Sequence, residues 1–184
     1  MDGRILRDNV WGTIEEDALR RDFRVNALYY DIADFSVIDY VGGIEDLQQR
    51  RLHLIGDPEQ RYREDPVRML RAARLAAKLG FSIDPRASAP FASLGHLLGE
   101  APPARLFDET MKMFMAGQGL ASFRMLERCD LLKHLFPGTA RALARDANGA
   151  LRSVIENGLA GTDARVAEDK PVTPAFLFAV LLWG

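Results

Sequence analysis

The chain has 184 residues, 48% hydrophobic and 27% charged, which supplies a core and excludes a largely disordered polypeptide. Its 24 basic and 26 acidic side chains give a formal net charge of −2, so any surface for a polyanion must be local rather than global. Lys accounts for 4 of the bases and Arg for the other 20, and Arg is the side chain suited to planar, bidentate recognition of phosphate.

Thr13-Ile14-Glu15-Glu16 fits a capping box and predicts a short helix from about Ile14 to Arg20, whose end presents Arg20, Arg21 and Asp22. Val25 to Ile32 and Val37 to Val41 are rich in β-branched and aromatic residues and read as an antiparallel hairpin around Asp34. Gly42-Gly43 reads as a turn needing positive φ, followed by a helical pattern from Ile44 to Gln49, with Leu52 to Ile55 as a candidate third strand. So thin a sheet must pack against more structure to be stable. Asp65-Pro66 is a helix start, with Asp at the N-cap and Pro first, for a helix running to Leu79 and stopping at Gly80. Further helices are expected at about 85–98, 104–116, 120–135, 147–157 and 174–182. The finish at Leu182-Trp183-Gly184 has no cap and reads as that of a fragment.

The lone Cys129 cannot form an internal disulfide, and His53, His96 and His134 lack zinc-site spacing, so a reducing, cytoplasmic setting is expected. The apolar run Ala175 to Trp183 is far shorter than the roughly 20 residues of a membrane-spanning helix, and the N-terminus has no signal-peptide pattern.

On the helix after Pro66, a rotation of about 100° per residue sets Arg68, Arg71 and Arg74 in one slanting stripe. Met69, Leu70, Ala72, Ala73, Ala76, Ala77 and Leu79 form the opposite, buried face. Periodicity leaves two readings of the stripe: a salt-bridged helix face, or a polyanion site without interleaved acids. Asp65 likewise is either a helix cap or, with Arg68, a donor and acceptor pair for the edge of a nucleobase. Asp22 is either a turn aspartate tied to Arg20 or Arg24, or a functional carboxylate.

Three collinear segments carry a family signature: Arg20-Arg21-Asp22-Phe23-Arg24-Val25-Asn26-Ala27-Leu28, then Asp39-Tyr40-Val41-Gly42-Gly43-Ile44-Glu45-Asp46-Leu47, then Arg61 through Arg74. In order and spacing they resemble the bacterial class II nucleotidyltransferases, which include poly(A) polymerases and CCA-adding tRNA nucleotidyltransferases. Ala27 to Phe35 and Ala101 to Phe107 resemble the poly(A) polymerase branch more closely. The resemblance implies an α+β fold: the C-terminal part of a polymerase-beta-like head with short antiparallel strands (1–56), an all-α, nucleotide-reading neck (57–135) and the start of a helical body (136–184).

It implies template-independent addition of AMP from ATP to RNA 3′ ends by two-metal phosphoryl transfer with Mg2+. Asp22 would be a catalytic residue and the third metal carboxylate. Arg21 would contact nucleotide phosphate, Asn26 would order the site near the ribose, Asp65 and Arg68 would select the base, and Arg71 and Arg74 would hold the triphosphate. The family's first Gly-Gly motif and its Asp-x-Asp pair do not occur here, so the isolated chain is expected not to polymerise. CCA addition to tRNA, and a non-catalytic helical RNA-binding module, remain the alternatives.

Overall fold

The computed structural model describes residues 12–183; the N-terminal residues before Gly12 and the final Gly184 lie outside the described residues. Helix α1 (Ile14–Arg20) begins at the expected capping box, with the Glu16 N–H donating to Thr13 Oγ1 and the Thr13 N–H to Glu16 Oε2. A single 3-10 turn (Arg24–Asn26) leads into strands β1 (Leu28–Tyr30) and β2 (Val37–Asp39), antiparallel with Leu28 opposite Asp39. Asp39 then closes the turn into α2 (Gly43–Gln49), accepting from the N–H groups of Val41, Gly42, Gly43 and Ile44 at 2.9–3.1 Å. Those four donors outweigh the rise that burial causes and lower its pKa. The glycine pair is structural: Gly42 has φ 87°, and a Cβ on Gly43 would stand 2.4 Å from the Arg24 carbonyl oxygen.

The candidate third strand is corrected. Strand β3 (Arg51–Leu52) joins no hairpin but pairs in parallel with β4 (Ser82–Ile83), while Leu54 forms one antiparallel bridge with Phe23. The intervening His53 places Nδ1 2.7 Å from Asp46 Oδ1 and Nε2 3.1 Å from Asp84 Oδ2, linking α2 to the segment after β4.

Helix α3 (Pro58–Glu64), which the pattern reading passed over, has the same Asp-Pro start as its successor: Asp57 Oδ1 accepts from the Gln60 N–H. Proline disfavours helical backbone in the residue before it, so Asp65 is extended (φ −147°, ψ 93°) and the chain restarts as α4 (Val67–Leu79), ending at a left-handed Gly80. Met69, Leu70, Ala72, Ala73 and Ala76 are buried as expected; Leu79 instead is exposed and Val67 is buried.

The helix expected at 85–98 is broken into α5 (Pro85–Ser88), α6 (Phe91–Leu94) and a 3-10 segment (Gly95–Glu100), with Pro90 removing a backbone donor at the break. Helix α7 (Pro103–Phe114) matches its expected span. The 120–135 helix splits into α8 (Gly119–Arg128) and α9 (Leu132–Leu135) around Asp130, whose φ is 57°. Helices α10 (Pro137–Ala144), α11 (Ala150–Ala167) and α12 (Pro174–Leu181) follow; α10 was not anticipated, and α11 runs ten residues past Asn157. Among the described residues no helix is long and apolar enough to cross a membrane.

Helix α4 packs on α8 and α7, its alanines permitting close approach. Tyr62, Phe114, Phe123, Leu126 and Ile155 share its core. A much smaller cluster, Ala18, Ala27 and Ile55, lies beneath α1 and β1. The hairpin itself leaves Tyr30, Ile32 and Phe35 exposed.

Candidate functional site

Asp22 lies in a bend just after α1, whose C-cap Arg21 is extended. Its carbonyl accepts from the Ile55 N–H, and the neighbouring Phe23 is buried, so the chain is pinned at this point and the Asp22 side chain turns to α4. Arg68 Nε donates to Asp22 Oδ1 at 2.7 Å and Arg71 Nη1 to Asp22 Oδ2 at 2.6 Å. Burial alone would push the Asp22 pKa up. The two guanidinium hydrogen bonds and their charges outweigh it and hold the carboxyl below its ordinary value. Arg71 reciprocates: burial favours its neutral form, but Asp22, Asp65 and Glu109 together raise its pKa.

The stripe is therefore salt-bridged, chiefly to acids from other segments. Arg74 Nε donates to Glu109 of α7, which also lies 4.0 Å from Arg71 Nε. Arg68 Nη1 donates to the Arg61 carbonyl at 2.7 Å and to Glu64 Oε2 at 3.3 Å, so one i,i+4 acid does precede the stripe. Asp65 keeps its capping contact, accepting from the Val67 N–H at 3.2 Å through Oδ1. Asp65 Oδ2 accepts from Arg105 Nη2 at 2.7 Å and has Arg71 Nη1 at 3.7 Å, so Asp65 and Arg68 are each engaged with other partners.

Two expected residues stand apart from this cluster. The Arg21 side chain donates to Asp17 through Nε and Nη2, and Tyr29 OH donates to the same oxygen. Asn26 is exposed in the 3-10 turn. Residue patterning missed Arg61, Glu64, Arg105 and Glu109. Arg61 Nη2 donates to the Arg21 carbonyl at 3.0 Å and lies 3.4 Å from Asp22 Oδ1, while its buried Nε has no partner among the described residues. Arg105 and Glu109 are four apart on α7 and so share a face; that spacing was the available signal.

The described residues do not by themselves fit a divalent cation. Both Asp22 oxygens already accept from guanidinium groups, and no group of three or more His, Cys, Asp or Glu side chains among the described residues is arranged to hold a metal ion.

A family model for the poly(A) polymerase head domain matches residues 3–53, and one described as a probable RNA- and SrmB-binding site of polymerase A matches residues 80–143. The chain is 50% identical over 181 residues to poly(A) polymerase I of Escherichia coli O157:H7, covering 98% of this chain and 39% of that one. It is 35% identical over 126 residues to the CCA-adding enzyme of Leuconostoc citreum, covering 68% and 31% respectively. Among solved structures, a tRNA nucleotidyltransferase complexed with a primer tRNA and an incoming ATP analogue superposes with a TM-score of 0.66 at 27% identity, covering 92% of this chain and 48% of that one. The chain thus spans about two-fifths of the length of the curated polymerase it matches.

Proposed function

Because the chain belongs to the family of bacterial poly(A) polymerases and CCA-adding nucleotidyltransferases, we propose that it forms part of a template-independent RNA nucleotidyltransferase adding AMP from ATP to RNA 3′ ends. The observation that carries this is the meeting of Asp22 with Arg68 and Arg71, beside Asp65, on one face of α4. In the reaction the RNA 3′-oxygen forms a bond to the α-phosphorus of ATP while the bond to the β-phosphate oxygen breaks and pyrophosphate leaves. Little covalent chemistry is asked of the protein, so its residues act by holding and orienting charge.

Arg71 and Arg74, both partly exposed, would hold the triphosphate, and Asp65 with Arg68 would present acceptor and donor to the base. Arg21 would reach phosphate only after releasing Asp17, and Asn26 is open to a ribose. Mg2+ is the ion the family resemblance implies for the longer protein, where it would neutralise the polyphosphate and polarise phosphorus. Asp22 would join its ligands only on leaving the guanidiniums. A reducing, cytoplasmic setting is proposed on the lone Cys129, whose thiol burial pushes up to about 11 and so keeps protonated at neutral pH.

Adenylate addition is favoured over CCA addition by the higher identity to poly(A) polymerase I over nearly the whole chain. The test is thermal stabilisation of this chain by ATP, CTP and inorganic tripolyphosphate. Ligand at about 100 times its dissociation constant stabilises by roughly 2.7 kcal/mol. The expectation is stabilisation by ATP beyond that of tripolyphosphate, with the ATP preference blurred in Asp65→Ala and kept in Arg71→Ala. No shift at millimolar ATP would leave the non-catalytic RNA-binding module as the better account.

A further inference from the structure

The arginine face is nearly neutralised from within. Arg61, Arg68, Arg71, Arg74 and Arg105 are met by Asp22, Glu64, Asp65 and Glu109, five cations against four carboxylates. An incoming anion therefore finds its guanidiniums already engaged.

The engagement is uneven. Arg68 is held by three acceptors, Asp22 Oδ1, the Arg61 carbonyl and Glu64, and its side chain is only 14% exposed. Arg71 is 31% exposed, and its one hydrogen bond within 3 Å goes to Asp22 Oδ2. The two oxygens of Asp22 thus have different tasks: Oδ1 fixes a buried guanidinium, and Oδ2 occupies an accessible one.

Resting on the nucleotide-site assignment above, we infer that Asp22 is an internal counter-anion of the site: it holds the place of a ligand phosphate on Arg71 and competes with polyphosphate for that guanidinium, while keeping Arg68 in position. Its carboxylate is displaced from Arg71 when an anion arrives, and Arg68 stays bonded. This role follows from the mismatch between a carboxylate ringed by guanidiniums and the cation site that the family resemblance led one to expect.

The substitution Asp22→Asn separates the two tasks, since the amide oxygen can still accept from Arg68 Nε while the charge opposing the ligand is gone. Two unit charges a few ångströms apart at a partly buried site interact strongly enough to change binding by an order of magnitude. In chelator-treated, low-salt buffer the variant should bind inorganic tripolyphosphate about tenfold more tightly than the wild type by calorimetry, the gain shrinking as salt rises. Equal or weaker binding by a folded variant overturns the inference.

A second arm uses the wild type alone, so it holds even where the variant fails to fold. Nitrogen-15 NMR should show the Arg71 guanidinium resonance shifting when tripolyphosphate is added while that of Arg68 stays in place, because only the Arg71 bond to Asp22 is exchanged for phosphate. An Arg71 resonance that stays unmoved at saturating ligand, or that moves together with that of Arg68, overturns it too. Running ATP alongside keeps the two readings apart: tighter tripolyphosphate binding in Asp22→Asn with no added effect of the nucleoside sinks the nucleotide site but keeps the counter-anion. ATP-specific binding that is indifferent to Asp22→Asn does the reverse.

Discussion

Asp22 couples the charged face to acid stability. A carboxyl whose folded pKa lies below its unfolded value, about 3.9, contributes stability that is fully present above that value and is lost as pH falls through the lower folded value. The wild type should accordingly lose more urea resistance than Asp22→Asn below about pH 4, and parallel losses would mean that the Arg68 and Arg71 bonds add nothing to folding. At this scale the sequence was informative about one partner only. The stripe at Arg68, Arg71 and Arg74 follows from helical rotation within a single element, so it could be read directly. Its counter-charges come from the turn at Asp22 and from Glu109 on α7, and Asp65 bonds to Arg105 forty residues away. Those pairings depend on tertiary placement, which local periodicity does not encode.

At the scale of elements, His53 ties α2 to the start of α5 through two buried carboxylates, Asp46 at 1% exposed and Asp84 at 8%. Replacing it with alanine removes a ring partner from each, leaving Asp46 the backbone N–H of residue 53 and Asp84 the Arg86 N–H, and His53→Ala should cost about 2 kcal/mol in urea denaturation. A loss below about 0.5 kcal/mol would mean that Arg24 and Arg51, at 3.8 and 3.9 Å, already neutralise the pair. The helices most legible in sequence were α1 and α4, whose starts carry Thr13 and Asp65 as side-chain acceptors of backbone N–H groups, and α7, which opens on Pro103; all three interiors stay uninterrupted. Long apolar patterns were overextended where one residue breaks the backbone: Pro90 ends a donor ladder and Asp130 takes a left-handed conformation. The Asp57-Pro58 start of α3 was as plain as that at Asp65-Pro66, yet only seven residues separate it from the next break, too short for a periodic signal.

Across the whole molecule, apolar burial is unequal. The helices around α4 share a broad core, whereas the hairpin stands over the three small or aliphatic residues Ala18, Ala27 and Ile55. Amide hydrogens of β1 and β2 should therefore exchange well before those of α4 and α8, and uniform protection would indicate one cooperative unit. The join between these regions runs through Phe23. It sits in the turn after α1, yet its ring is part of the large helical core with Leu52, Leu54 and Tyr62. The adjacent carboxylate is consequently mounted on a fulcrum inside the protein. Trimming that ring would tilt the lever, and a lesion in the oily interior that touches no ligand would be felt as a change in the grip on phosphate.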